Sequence, residues 1–184
     1  MKSNPRNLLL SLVPVILFAP GLQAAERSEL ALSFGGGALS VDSGTKATPV
    51  ISLSYLYHIT SHVAVEGSYD IFFHRFLTGP LDAPYEYWDG YEGVEAALVC
   101  HLRKWQETGR WIPFLAAGIG KTTTDFTEIR ASRYYRLGAG VSYHFTEKFG
   151  TRIEVRDEII DDLYSARQPG ANLPSVRAGL VYRF

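Results

Sequence analysis

The 184-residue chain has one cysteine, Cys100, so it offers no internal disulfide and no thiolate metal cluster. It lacks any apolar run of about 20 residues, which excludes a bundle of transmembrane helices. Eighteen basic against nineteen acidic residues leave a net charge of −1, and no bulk electrostatic pull towards nucleic acid follows. Internal repeats, low-complexity linkers and helix-period segments are missing too, which points to one domain. None of these absences excludes a membrane-spanning sheet, because lipid-facing and inward-facing residues alternate along its strands and cancel in any average.

Aromatic residues are plentiful, with eleven Tyr, ten Phe and three Trp, and so is alternation. Counting back from the end, Phe184, Tyr182, Leu180, Ala178 and Val176 are apolar, while Arg183, Val181, Gly179, Arg177 and Ser175 lie between them. Period two is a strand with one apolar face. The beginning is different. Lys2 and Arg6 precede an apolar stretch from Leu8 to Phe18, and Leu22-Gln23-Ala24-Ala25 offers a small-residue cleavage site. This is the pattern of a secretory signal peptide over residues 1–25, leaving residues 26–184 as the folded domain.

Eight strands are predicted: Leu30 to Ser40, Val50 to Tyr57, His62 to Phe73, Tyr91 to Arg103, Ile112 to Thr122, Tyr134 to Phe145, Phe149 to Ile159, and Ser175 to Phe184. The connections between them alternate long and short: Val41 to Pro49, His58 to Ser61, His74 to Gly90, Lys104 to Trp111, Thr123 to Arg133, Thr146 to Lys148, and Ile160 to Pro174. Short turns on one side and longer loops on the other are what outer-membrane barrels show. In lipid every backbone N–H and C=O must be paired within the protein, so such a sheet survives only when closed. The expected fold is all-β: an eight-stranded antiparallel transmembrane β-barrel, an up-and-down meander.

The inward set then gathers Glu66, Asp70, Glu95, Arg103, Arg136, Arg152, Glu154, Arg156, Glu158, Arg177 and Arg183. Charges in a narrow lumen must be paired or hydrated. Three uses compete for them: a structural network that plugs the barrel, which is preferred, a switchable plug in a narrow pore, and catalysis. His101 and His144 are also expected inward. His144, Ser142 and Glu154 form a His–Ser–acid trio on adjacent strands, but any polar barrel interior offers such a trio by chance. His58, His62 and His74 fall in or near connections without a repeating ligand spacing, so neither a metal site nor a cofactor is expected. Cys100 is expected on the lipid face. Trp105, Trp111, Tyr85, Tyr87, Trp88 and Tyr91 are read as interfacial girdles, and the loop from Leu77 to Asp89 as the candidate contact for an external ligand.

The segments Leu137-Gly138-Ala139-Gly140-Val141-Ser142-Tyr143-His144-Phe145 and Arg152-Ile153-Glu154-Val155-Arg156-Asp157 resemble late strands of OmpA-type small outer-membrane β-barrel proteins. The final alternation (Val176, Ala178, Leu180, Tyr182, Phe184) resembles their C-terminal assembly signal. The resemblance implies insertion by the outer-membrane assembly machinery, contact with outer-membrane lipids and lipopolysaccharide, and a structural, adhesin-like or small-channel role. OmpA itself carries a peptidoglycan-binding domain after its barrel, and no such domain is expected here. The stretch Gln168-Pro169-Gly170-Ala171-Asn172 has a slight likeness to PagL-type lipid A deacylases, whose late-strand signature is His-x-Ser-Asn with a nearby Glu. Tyr143-His144-Phe145-Thr146 and Val155-Arg156-Asp157-Glu158 do not supply that spacing, so a non-enzymatic barrel is expected, with a narrow channel and a deacylase as alternatives.

Overall fold

A computed structural model describes residues 28–41, 44–78, 85–123, 133–160 and 171–184. Eight strands follow one another: β1 (Ser28–Val41), β2 (Gly44–His58), β3 (Val63–Thr78), β4 (Tyr85–His101), β5 (Trp111–Thr123), β6 (Arg133–His144), β7 (Phe149–Ile160) and β8 (Ala171–Arg183). Each pairs antiparallel with its sequence neighbours, and β1 pairs with β8 to close the barrel. Closure runs from Glu29↔Arg183 to Gly37↔Ser175, so no edge is left unpaired between the first and last strands. The signal peptide expected over residues 1–25 lies outside the described residues.

The alternation read from the sequence sets which way each strand faces. Leu32, Phe34, Leu98, Leu115, Ile119, Leu137, Val155, Val176 and Leu180 are exposed on the outer face, while the positions between them are buried or half-buried. Cys100 takes the outward register and is half-buried. Tyr69 keeps that register yet is only 5 % exposed.

The expected alternation of connections does not hold throughout. β1 and β2 pair out to Val41↔Gly44, and β3 and β4 to Thr78↔Tyr85. Only residues 42–43 separate the first pair, fewer than the four that separate β2 from β3. Sequence alternation stops where the apolar face stops, but backbone pairing does not need apolar side chains and continues past it. Most of the stretch from Leu77 to Asp89 is therefore strand; residues 79–84, and the side chains of Tyr85, Tyr87, Trp88 and Tyr91, lie outside what is described.

The end of the barrel that carries residues 59–62, 102–110 and 145–148 holds an aromatic band on its outer face. Trp111 lies 4.9 Å from Tyr143, Phe149 5.1 Å from Tyr182, and Tyr182 5.3 Å from Phe184, between ring centroids. Such residues suit a membrane–water boundary. Trp105 is a correction to the girdle reading. It is 5 % exposed and turned inward, its ring stacked on His58 at 3.8 Å and 9°. The turn that carries it closes through Gly109, whose φ of 68° falls in the left-handed region that favours glycine and whose N–H donates to the His144 carbonyl at 2.7 Å.

Glycine also sets the shape of the lumen. Tyr134 of β6 lies across Gly120 of β5 and brings its hydroxyl over Gly93 of β4; a Cβ at Gly120 would run into the tyrosine ring. Gly120→Val should lower unfolding stability by about 1–3 kcal/mol through this clash. The check is the temperature at which the folded band converts to the unfolded one on gels run without boiling.

Candidate functional site

Inside the barrel the side chains form layers. At the aromatic-banded end, His58, His101 and His144 are the last residues of β2, β4 and β6. All three are buried, together with Glu29 near the start of β1 and Arg183 at the end of β8. Arg183 Nε donates to Glu29 Oε1 at 2.9 Å, and the same guanidinium donates to the Trp105 carbonyl and meets His144 Nδ1 at 2.7 Å. Glu29 Oε1 lies 3.6 Å from His58 Nε2 and 3.4 Å from His144 Nε2. Arg183 also stands over the Trp105 ring, 5.0 Å from its centroid. One arginine thus ties the closing strand to the first strand, to β6 and to the turn after β4.

Above this layer Leu56, Ala64, Val99, Phe114 and Ala116 form a buried apolar cluster. Above that lies the main ionic cluster, drawn from β3, β4, β6, β7 and β8. Arg136 donates to Glu95, to Glu154 and, at 3.4 Å, to Glu66. Arg152 Nη2 donates to Glu66 at 3.0 Å and to Glu154 at 3.1 Å. Arg156 Nη2 donates to Glu154 at 3.1 Å. Its Nη1 stands 3.5 Å from Asp70, 3.7 Å from Glu158 and 3.9 Å from Glu95. Arg177 joins Asp70, at 2.9 Å, to Glu158. Aromatic faces complete the cradle: the Arg152 guanidinium lies 4.1 Å from the Phe114 ring centroid and that of Arg177 5.5 Å from Phe72. Beyond the cluster Phe72, Tyr134 and Leu173 are buried.

Ten of the eleven expected inward charges are therefore buried and paired, nine in the main cluster and Arg183 in the end layer. Arg103 is not among them. β4 ends at His101, and Arg103 is exposed in the connection that follows. The sequence reading missed Glu29 and His58. Continuing the inward alternation from Ala31 back to Glu29, and from Leu56 on to His58, would have found both.

The trio of His144, Ser142 and Glu154 is not assembled. His144 meets Glu29 and Arg183, whereas the partners of Glu154 are Arg136, Arg152 and Arg156. Among the described residues one group has the spacing of metal ligands: a carboxylate oxygen from each of Asp70, Glu95 and Glu158, all within 4.8 Å of one another. Chemically the site is an array of opposed, hydrogen-bonded charges held on strands and shut off from solvent.

Comparison with known proteins places this geometry. A family model described as the outer membrane protein beta-barrel domain matches residues 9–184. Among solved structures, Neisserial surface protein A is similar with a TM-score of 0.62 and 14 % identity, over 85 % of this chain and 97 % of that one. Ail, the attachment invasion locus protein of Yersinia pestis, solved with the heparin analogue sucrose octasulfate, is similar at 0.55 and 19 %, over 86 % and 98 %. The outer membrane enzyme PagL is similar at 0.50 and 18 %, over 81 % and 97 %. At these identities the likeness is one of fold. No curated protein is matched by sequence.

Proposed function

We propose, from the premise that this chain belongs to the outer membrane protein beta-barrel domain family, that it is a sealed, non-catalytic barrel with a structural or surface-interaction role in the envelope. The observation that carries the reading is the layering of the lumen. The ionic cluster is bounded on one side by Phe72, Tyr134 and Leu173 and on the other by Leu56, Val99 and Phe114, all buried. An ion crossing the barrel would have to displace both layers and break bonds within the cluster.

PagL shows that this fold accommodates an enzyme, so fold alone decides nothing about activity. The side chains favour the non-catalytic reading. His144 and Ser142 are 1 % and 3 % exposed and lie within the lumen, away from any lipid substrate. The surface role takes support from Ail, solved with a bound heparin analogue. Residues 1–25 act as the export signal in this reading. The outward-facing Val176, Ala178, Leu180, Tyr182 and Phe184 serve as the mark read by the assembly machinery.

Two measurements test the proposal. Purified protein in planar bilayers should give no stepwise ion current; a current lost on Arg152→Ala or Glu95→Ala would replace the sealed barrel with a channel. Mass spectrometry of lipid A from cells with and without the protein should show the same acyl chains, and loss of one chain in the protein's presence would make it a hydrolase.

A further inference from the structure

The buried charges of the described residues do not balance. Among the described residues the interior holds six carboxylates, those of Glu29, Glu66, Asp70, Glu95, Glu154 and Glu158, and five guanidinium groups, those of Arg136, Arg152, Arg156, Arg177 and Arg183. Glu29 and Arg183 neutralise each other at one end. The main cluster is then five acids against four arginines, with one negative charge in excess. An unbalanced charge out of contact with water is costly, so it calls for a counter-charge.

The geometry shows where the excess lies. Glu66 and Glu154 each have an arginine nitrogen at about the usual hydrogen-bond distance, from Arg152 at 3.0 and 3.1 Å. Asp70, Glu95 and Glu158 also have one each, Asp70 from Arg177 at 2.9 Å, Glu158 from Arg177 and Glu95 from Arg136, but these three acids crowd one another, with a carboxylate oxygen of each within 4.8 Å of the others. Arg156 Nη1 stands between all three at 3.5 to 3.9 Å, while the same guanidinium makes its shorter bond to Glu154. Glu95 Oε2 accepts no hydrogen bond. A second observation comes from β6. The Tyr134 hydroxyl is buried and has no hydrogen-bond partner. It reaches over Gly93, which pairs across the strands with Asp70 and lies two residues from Glu95 on β4, and Tyr134 itself pairs with Ile160, two residues from Glu158 on β7. A buried hydroxyl without a partner beside three crowded carboxylates marks a place for something more.

We infer that Asp70, Glu95, Glu158 and the Tyr134 hydroxyl form a binding site for one monovalent cation, either a proton shared between the carboxylates or an alkali ion on the side away from Arg156. A divalent ion would overshoot the balance by one charge and would sit beside Arg156 and Arg177. Among the described residues the titratable groups facing the site are Asp70 and Glu66 from β3, Glu95 from β4, Tyr134 and Arg136 from β6, Glu154, Arg156 and Glu158 from β7, and Arg177 from β8. The site depends on the sealed-lumen reading only through burial. Its test does not read conductance, so the two fail separately.

The experiment uses the full barrel folded in detergent at neutral pH. The proton form predicts an infrared carbonyl band of a protonated carboxyl group that shifts in heavy water. The alkali form predicts no such band, but a lower melting temperature for barrel folded with a bulky organic cation in place of sodium and potassium. Whichever signal the wild type gives should be lost in Glu158→Gln and in Glu95→Gln. Each of these variants removes the excess charge without changing shape, and both should keep the gel shift of a folded barrel. Absence of both signals overturns the site, as does a signal that survives both variants. Stabilisation by calcium that a chelator reverses would overturn the single-charge assignment.

Discussion

Arg136→Leu should cost the barrel about 3–5 kcal/mol of folding free energy, the usual toll of leaving buried partners without their counter-charge. Arg136 sits at the centre of the main cluster, 1 % exposed, and bonds to Glu66, Glu95 and Glu154. Leucine fills part of the volume but leaves three carboxylates to share Arg152 and Arg156, and it doubles the cluster's excess negative charge. Arg136→Lys keeps the charge but gives up the planar fork that spans several acids at once, so it should fall between wild type and leucine. The measurement is denaturant unfolding in detergent micelles followed by tryptophan fluorescence. The partner test is Arg136→Leu combined with Glu95→Gln. Removing the facing acid as well should recover part of the loss, with a coupling of about 0.5–3 kcal/mol for residues in direct contact. If Arg136→Leu unfolds within about 0.5 kcal/mol of wild type, the size typical of surface substitutions, the cluster is not what holds the lumen together.

The part of this cluster that could be read from the chain is the part governed by parity. Arg152, Glu154, Arg156 and Glu158 alternate with Ile153 and Val155 in β7, and once one face is assigned to lipid the other must turn inward. Closure followed from the same alternation, because an open sheet has no place in lipid. Pairing within the lumen was not legible. Arg136 on β6 meets Glu66 on β3, seventy residues away, and such a meeting depends on barrel diameter and stagger rather than on local pattern. The failures lie at strand ends. Arg103 obeys the parity of β4, but the strand stops at His101, and past that point parity no longer says anything about direction. Trp105 was assigned by a general preference of tryptophan for interfaces. It is instead the one tryptophan of the turn that folds back into the lumen, where the His58 ring and the Arg183 guanidinium hold it. Glu29 and His58 escape the sequence reading for the converse reason: β1 pairs from two residues before Leu30 and β2 to one residue past Tyr57, beyond the ends of their apolar alternation.

The outward face allows the sharpest test of the environment around the barrel. Ala139 lies midway along β6, exposed, with Leu115 opposite on β5 and Val155 opposite on β7. Ala139→Arg removes almost no packing and adds a charge where both directly opposite residues are apolar. At the middle of a bilayer this should cost about 2–4 kcal/mol, and near an interface about 0–1 kcal/mol. Leu102 is the comparison. It is 63 % exposed just past the end of β4 and is followed by the exposed Arg103 and Lys104. Leu102→Arg should therefore be nearly silent, although it replaces the larger apolar side chain. Transfer from water would rank the two the other way round, because leucine has more apolar area to lose than alanine. Unfolding both variants from phospholipid vesicles separates these expectations. A larger loss at Ala139 than at Leu102 requires a hydrocarbon layer around the middle of the strands. Equal losses, or a larger one at Leu102, would mean that the outer face meets water or another protein instead.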